Sequence, residues 1–183
     1  ALNEPFRPQF HFTPQKGWLN DPNGLVFYEG EYHLFYQFYP DDTVWGPMHW
    51  GHAVSRDLVN WQHLPIALFP DELGYIYSGS AVIDWHDTAG FGKEAMVLVF
   101  THHHPDTLNQ SQSLAYSIDN GRSWTKYAGN PILSPSENLR DFRDPKVFWY
   151  EAEAGLGHWV MAVSAKNEIL FYASDNLIRH YTD

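Results

Sequence analysis

Cysteine is absent from the 183 residues. That removes disulfide frameworks, thiolate nucleophiles and cysteine-ligated zinc together, and leaves the redox compartment open. Positive charge is scarce: 11 Lys and Arg stand against 22 Asp and Glu, for a formal charge of −11 with His neutral. The balance argues against nucleic acid or an anionic membrane as partner. No apolar run approaches the roughly 20 residues of a membrane-spanning helix. Ahead of Phe6 there is neither a basic n-region nor an apolar stretch, and the chain opens at Ala1. A mature form without its signal peptide is expected to start this way, as is a trimmed chain. Disorder is excluded by composition, since aromatics make up 17% of residues and charged residues only 18%.

Helical periodicity is nearly missing too. Short β-rich runs separated by Gly, Asn, Asp and Pro recur instead: 25–28, 32–39, 95–101, 146–150, 158–164 and 169–173. The pattern predicts an all-β, antiparallel chain. Glu29-Gly30-Glu31 reads as a tight hairpin turn, because glycine supplies the positive φ such connections need. Residues 151–157 read as a longer hairpin loop.

Self-similarity predicts the architecture. Ser55-Arg56-Asp57 leading to Trp61 is echoed by Ser117-Ile118-Asp119 leading to Trp124, and loosely by Ser174-Asp175-Asn176 leading to Tyr181. The aspartates lie 62 and 56 residues apart. A period near 60 with about four short strands fits a propeller blade, giving three blades at approximately 18–65, 75–130 and 140–183. Propellers close with roughly 4–8 blades. Further blades, from a missing C-terminal segment or from a second copy in an oligomer, are therefore expected to complete the ring. The Ser-x-Asp boxes read as structural, with Asp closing a turn and Trp packing beneath it.

Two other strings carry chemistry. Asp21-Pro22 within Trp18-Leu19-Asn20-Asp21-Pro22-Asn23-Gly24 and Asp144-Pro145 after Phe142-Arg143 lie 123 residues apart, about two periods. An isolated Asp-Pro or Asn-Gly is a turn far more often than a site. Here each has companions: Gln37 in Phe35-Tyr36-Gln37, Trp45 in the segment ending Gly51-His52, and Tyr77-Ser78-Gly79-Ser80. A short carboxylate on a rigid Asn-Asp-Pro-Asn-Gly turn is pre-positioned with little rotamer freedom to lose, and Asn20 and Asn23 offer amide donors to it. The run His102-His103-His104 has no metal-ligand spacing, so no metal is expected. No cofactor motif occurs either.

Five motifs in this order and spacing resemble glycoside hydrolase family 32, the invertases, levanases and inulinases, over essentially the whole chain. The resemblance implies a five-bladed β-propeller with an axial funnel, usually followed by a β-sandwich. It implies Asp21 as nucleophile and Asp144 as transition-state stabiliser gripping ring hydroxyls, with Asn20, Gln37, Trp45, Tyr77, Ser78 and Arg143 binding substrate and Trp18 as a further apolar wall. Retention requires two carboxyl groups roughly 5–5.5 Å apart, one attacking and one protonating the leaving oxygen. The family's acid is a Glu in a Glu-Cys pair, which this chain lacks. Glu168 stands in a different context, and by family spacing the acid and the β-sandwich fall beyond Asp183. The implied activity is release of fructose from levan, inulin or sucrose by a secreted extracellular or periplasmic enzyme. Two alternatives stand beside it: a truncated sugar-binding or interaction module without turnover, and a fructosyltransferase.

Overall fold

The computed structural model describes residues 3–135, 139, 141–151 and 157–178. Among them there is no helix, and eleven strands form three antiparallel sheets. The first holds β1 (Trp18–Tyr28), β2 (Glu31–Tyr39), β3 (His49–Ser55) and β4 (Trp61–Leu68) in chain order. The second holds β5 (Tyr75–Asp84), β6 (Ala95–His103), β7 (Gln110–Ser117) and the short β8 (Thr125–Lys126). The third holds β9 (Phe142–Glu151), β10 (Gly157–Ala165) and β11 (Glu168–Ser174). The sheets are propeller blades, and β5 lies between β1 and β9 as the middle one of three adjacent first strands.

The second sheet is covered on both faces. Along β6, Met96, Leu98 and Phe100 enter one core with Phe35, Trp50 and Ile76. Ala95, Val97 and Val99 enter another with Phe142, Val147, Trp159 and Met161. Alternate strand residues point to opposite faces, so burial of both makes β6 a continuous apolar run. Trp50, Phe35 and Trp159 are among the largest fully or almost fully buried side chains, and truncating such a residue to Ala costs about 3–5 kcal/mol.

Buried polar groups tie the sheets together in a repeated way. Gln37 Nε2 on β2 donates to Ile76 O on β5 at 2.9 Å, and Gln112 Nε2 on β7 donates to Phe142 O on β9 at 2.8 Å. Ser80 Oγ donates to Pro145 O and accepts from Val147 N, both at 2.9 Å. The first strands of the second and third sheets are thus each fixed by the preceding sheet, satisfying backbone groups that would otherwise be buried unpaired.

Two local expectations need correction. The turn after β1 is only Glu29 (φ 48°) and Gly30 (φ 80°), because Glu31 already pairs with Tyr28 as the start of β2. Two successive positive φ values give the primed geometry that matches strand twist. The Asn-Asp-Pro-Asn-Gly string is not a turn: it runs inside β1, which extends seven residues upstream of Leu25. Residues 152–156 and Tyr181 lie outside the described residues, with Glu151 ending β9 and Gly157 opening β10.

The Ser-x-Asp boxes are turns, as read. Asp57 Oδ1 accepts from Val59 N (2.9 Å) and Asn60 N (2.7 Å), and Asp119 Oδ1 from Arg122 N (3.0 Å) and Ser123 N (2.9 Å). In the third sheet Asn176 Oδ1 does this work, accepting from Ile178 N at 3.0 Å.

Candidate active site

All three first strands break register at the same end. On β1 the pairing skips Asp21 between Asn20 and Pro22, on β5 it skips Ser78 between Tyr77 and Gly79, and on β9 Asp144 and Pro145 together oppose one residue of β10. A bulge re-aims a side chain out of the pleat. Here it turns a carboxylate, a hydroxyl and a second carboxylate toward a common centre. Asp21 (φ 26°) and Asp144 (φ 61°) are both left-handed, which costs a non-glycine residue on the order of 1 kcal/mol but is borne best by Asp and Asn. Gly79 has no alternative, since a Cβ there would lie 2.0 Å from Val99 O.

The bulges border a cavity of about 480 Å³, and Asn20, Asp21, Gln37, Trp45, Tyr77, Ser78, Arg143 and Asp144 all line it, as expected for the two carboxylates and six binding residues. Asp21 Oδ2 accepts from Ser78 Oγ at 3.0 Å. Ser78, rather than Asn20 or Asn23, is therefore the side-chain donor to this carboxylate. Asn23 Nδ2 turns to Asp21 O (3.1 Å), and Asn20 Oδ1 accepts from Trp18 Nε1 (2.7 Å), which leaves the Asn20 amide nitrogen free for the cavity. Trp18 is thus a brace for Asn20 and not part of the lining. Gln37 is buried with its nitrogen spent on Ile76, so its carbonyl oxygen is what it can offer. Trp45 is half exposed and meets Tyr77 edge-on, with centroids 6.4 Å apart.

Arg143 pairs with Asp141 at 2.5 Å. Asp144 touches solvent, yet the concave wall strips enough water from it to push its pKa up; the facing Asp21 adds to this and Arg143 opposes it. Its backbone N donates to Thr101 Oγ1 (3.1 Å), and Thr101 Oγ1 donates to Gln112 Oε1 (2.7 Å). This buried relay fixes the β9 bulge against the second sheet. The sequence reading missed Thr101 and Gln112. It also missed three further lining residues, His103, Gln110 and Asp141.

In the histidine run each ring has its own partner. His102 Nδ1 meets Ser113 Oγ at 2.7 Å and its Nε2 meets Asp71 at 3.2 Å, while His104 Nδ1 accepts from Thr107 N at 3.3 Å. Burial drives His102 down to about 4.

A polar well at the convergent ends of propeller strands, with two carboxylates not bridged to each other, amide and hydroxyl groups between them and aromatic rings at the side, defines a β-propeller with a pocket suited to a small polar ligand. Residues 11–183 match the family model "Glycosyl hydrolases family 32 N-terminal domain", and the chain belongs to glycoside hydrolase family 32. It is 58% identical to a levanase of Bacillus subtilis over 96% of this chain and 25% of that protein. It is 42% identical to an extracellular exo-inulinase of Aspergillus awamori over 96% and 37%. The crystal structure of exo-inulinase from the same fungus superposes with a TM-score of 0.90 at 39% identity, over all of this chain and 40% of that one. A β-fructofuranosidase of Schwanniomyces occidentalis complexed with fructosyl-erythritol superposes with a TM-score of 0.86 at 41% identity, over 96% and 35%. The chain thus spans about a quarter to two fifths of these relatives.

Proposed function

We propose that this chain is the nucleophile-bearing part of a retaining β-fructosidase that releases fructose from levan, inulin or sucrose. The Asp21 carboxylate attacks the anomeric carbon of a fructosyl unit, forming an ester as the glycosidic C–O bond breaks. A carboxylic acid from outside the described residues protonates the leaving oxygen, and water then hydrolyses the ester. Asp144 accepts hydrogen bonds from ring hydroxyls that strengthen as positive charge develops at the anomeric carbon, which lowers the barrier preferentially. Asn20, Gln37 and Arg143 orient the same sugar, and Trp45 and Tyr77 cover its C–H face. No cofactor or metal enters these steps.

The single observation behind this reading is that Asp21 and Asp144, 123 residues apart in sequence, line one cavity, with a serine hydroxyl as the side-chain donor to the first among the described residues. Apolar side chains left exposed on the outer sheets, Phe27 at 55%, Phe148 at 39% and Phe171 at 61%, support further blades that complete the ring. Secretion agrees with polymeric substrates and with relatives named as extracellular exo-inulinases. The test is chemical: the full-length protein is quenched in acid during turnover of sucrose and digested, and the peptides are weighed. A fructosyl adduct is expected on the peptide carrying Asp21. An adduct on the Asp144 peptide instead would reverse the roles.

A further inference from the structure

The lining residues His103 and Gln110 have no part in the steps above. His103 ends β6 and Gln110 begins β7, and the two are direct partners across the hairpin. The imidazole lies flat on the Tyr77 ring, with centroids 4.5 Å apart and planes 11° from parallel. Gln110 Nε2 meets His103 Nδ1 at 3.2 Å. An amide nitrogen can only donate, so Nδ1 accepts and the ring proton resides on Nε2, which has no hydrogen-bond partner among the described residues. Gln110 is only 8% exposed, and its Oε1 is buried with no hydrogen-bond partner among the described residues. Turning the amide over would place that oxygen against Nδ1, move the ring proton there and leave Nε2 a bare acceptor. One buried amide therefore decides whether the cavity is offered a donor or an acceptor.

The height of the pair matters as much as its chemistry. Thr101, which anchors Asp144, pairs with Tyr77, and His103 pairs with Tyr75. His103 is thus displaced two strand residues, roughly 6–7 Å, from the level of the carboxylates. In the other direction β5 and β6 run into Ser80, Ala81 and Phe100, all buried, so His103 lies on the open side of the carboxylates along these two strands. Burial, with Arg143 and His104 nearby, also lowers the His103 pKa, keeping the ring a neutral donor.

We propose that His103, oriented by Gln110 and seated on Tyr77, is a specificity-determining residue whose Nε2–H binds a hydroxyl of the sugar on the leaving-group side of the scissile bond. This rests on the fructosidase reading above. It is tested in the full-length protein by comparing kcat/KM for sucrose with kcat/KM for methyl β-D-fructofuranoside, whose leaving group carries no sugar. For His103→Ala the ratio of the two is expected to fall about fivefold to tenfold, the size of one hydrogen bond, mainly through the KM for sucrose. His103→Gln, which returns an amide donor near the Nε2 position, is expected to recover most of it. An unchanged ratio, whether both substrates suffer equally or neither does, overturns the proposal, since a ring that merely braces Tyr77 serves both alike. A wild-type protein that releases fructose from neither substrate sinks the fructosidase reading, and this proposal with it.

Discussion

The ends of the first strands and the seams between sheets use the same residue types in opposite ways. At the turns that border the seams, Asp119 is saturated: Ser117 and Ser123 hydroxyls and two backbone N–H groups hold its carboxyl down to about 2. Asp57 is held low in the same manner by Asn60 and Val59. At the strand ends Asp21 receives one hydroxyl, Asp144 is pushed up by burial, and both sit at strained backbone angles. A carboxylate with every lone pair satisfied has nothing left for a ligand. One held open and strained has its hydrogen-bonding capacity in reserve.

If that contrast is right, the largest effect belongs to Asp21. Asp21→Asn keeps the shape, and Asn tolerates a left-handed φ, so the thermal midpoint of the full-length protein is expected to hold while kcat on sucrose falls on the order of 10⁴-fold or more. Residual turnover within tenfold of wild type would end the nucleophile assignment. Asp144→Asn is expected to lower kcat about 10²–10³-fold, as loss of a group aimed at developing charge does. Its effect on stability has the opposite sign. A carboxyl whose pKa is raised on folding stabilises the fold below the unfolded pKa and loses that contribution as pH rises through the folded value. At neutral pH the Asp144 charge is therefore a burden, and Asp144→Asn should unfold at a higher temperature than wild type. A lower midpoint would make Asp144 structural.

The seam between the first two sheets gives the next test. His33 and His52 are buried there, Nδ1 to Nε2 at 3.1 Å, with His52 stacked on Phe35 and edge-on to Trp124. Arg122, paired with Glu31 across the seam, is the charged neighbour that disfavours a second cation, and Glu31 opposes it. Burial brings His33 down to about 4 and holds His52 well below the ordinary imidazole range. The unfolded chain takes up protons near pH 6.5 while the folded chain does not, so stability is lost as pH falls from 6.5 toward 4. Unfolding of the full-length protein by urea at pH 7 and pH 5 should differ by about 2 kcal/mol for each of the two histidines, and His33→Gln should remove about half of that dependence. An equally steep slope in the variant would show that the seam histidines titrate freely.

The sequence carried the site better than the strands that hold it. Asp21, Asp144 and their six companions all line the cavity, and they are legible because each sits in a short string that resembles a motif of a known family. β1 was read as starting at Leu25 because Asn, Asp, Pro and Gly speak locally for a turn, whereas the neighbouring first strand holds them extended with a bulge. β5 escaped notice because Ser78-Gly79-Ser80-Ala81 has little strand propensity, and close approach to Val99 O is what demands glycine there. β6 was visible because burial on both faces leaves no polar alternation to hide it. His103 and Gln110 at the cavity, and Thr101 and Gln112 in the relay that holds Asp144, were out of reach, since the β6–β7 register is what pairs them.

The smallest effect is the cleanest check on the contrast. Asp119→Ala removes a turn-closing carboxylate that no sugar touches, so Arg122 N and Ser123 N lose their acceptor, as a helix start does without its cap. Such losses cost about 1 kcal/mol, and an exposed turn belongs at the lower end because water can replace the lost acceptor. The unfolding midpoint in urea should drop accordingly at pH 7, and the deficit should narrow as pH falls below the ordinary carboxylate range toward 2, where the wild-type carboxyl is itself protonated. Fructose release at 25 °C should match wild type. If kcat fell by tenfold with the fold intact, the turns and the strand ends would be coupled, and the division between saturated and open carboxylates would no longer separate structure from chemistry.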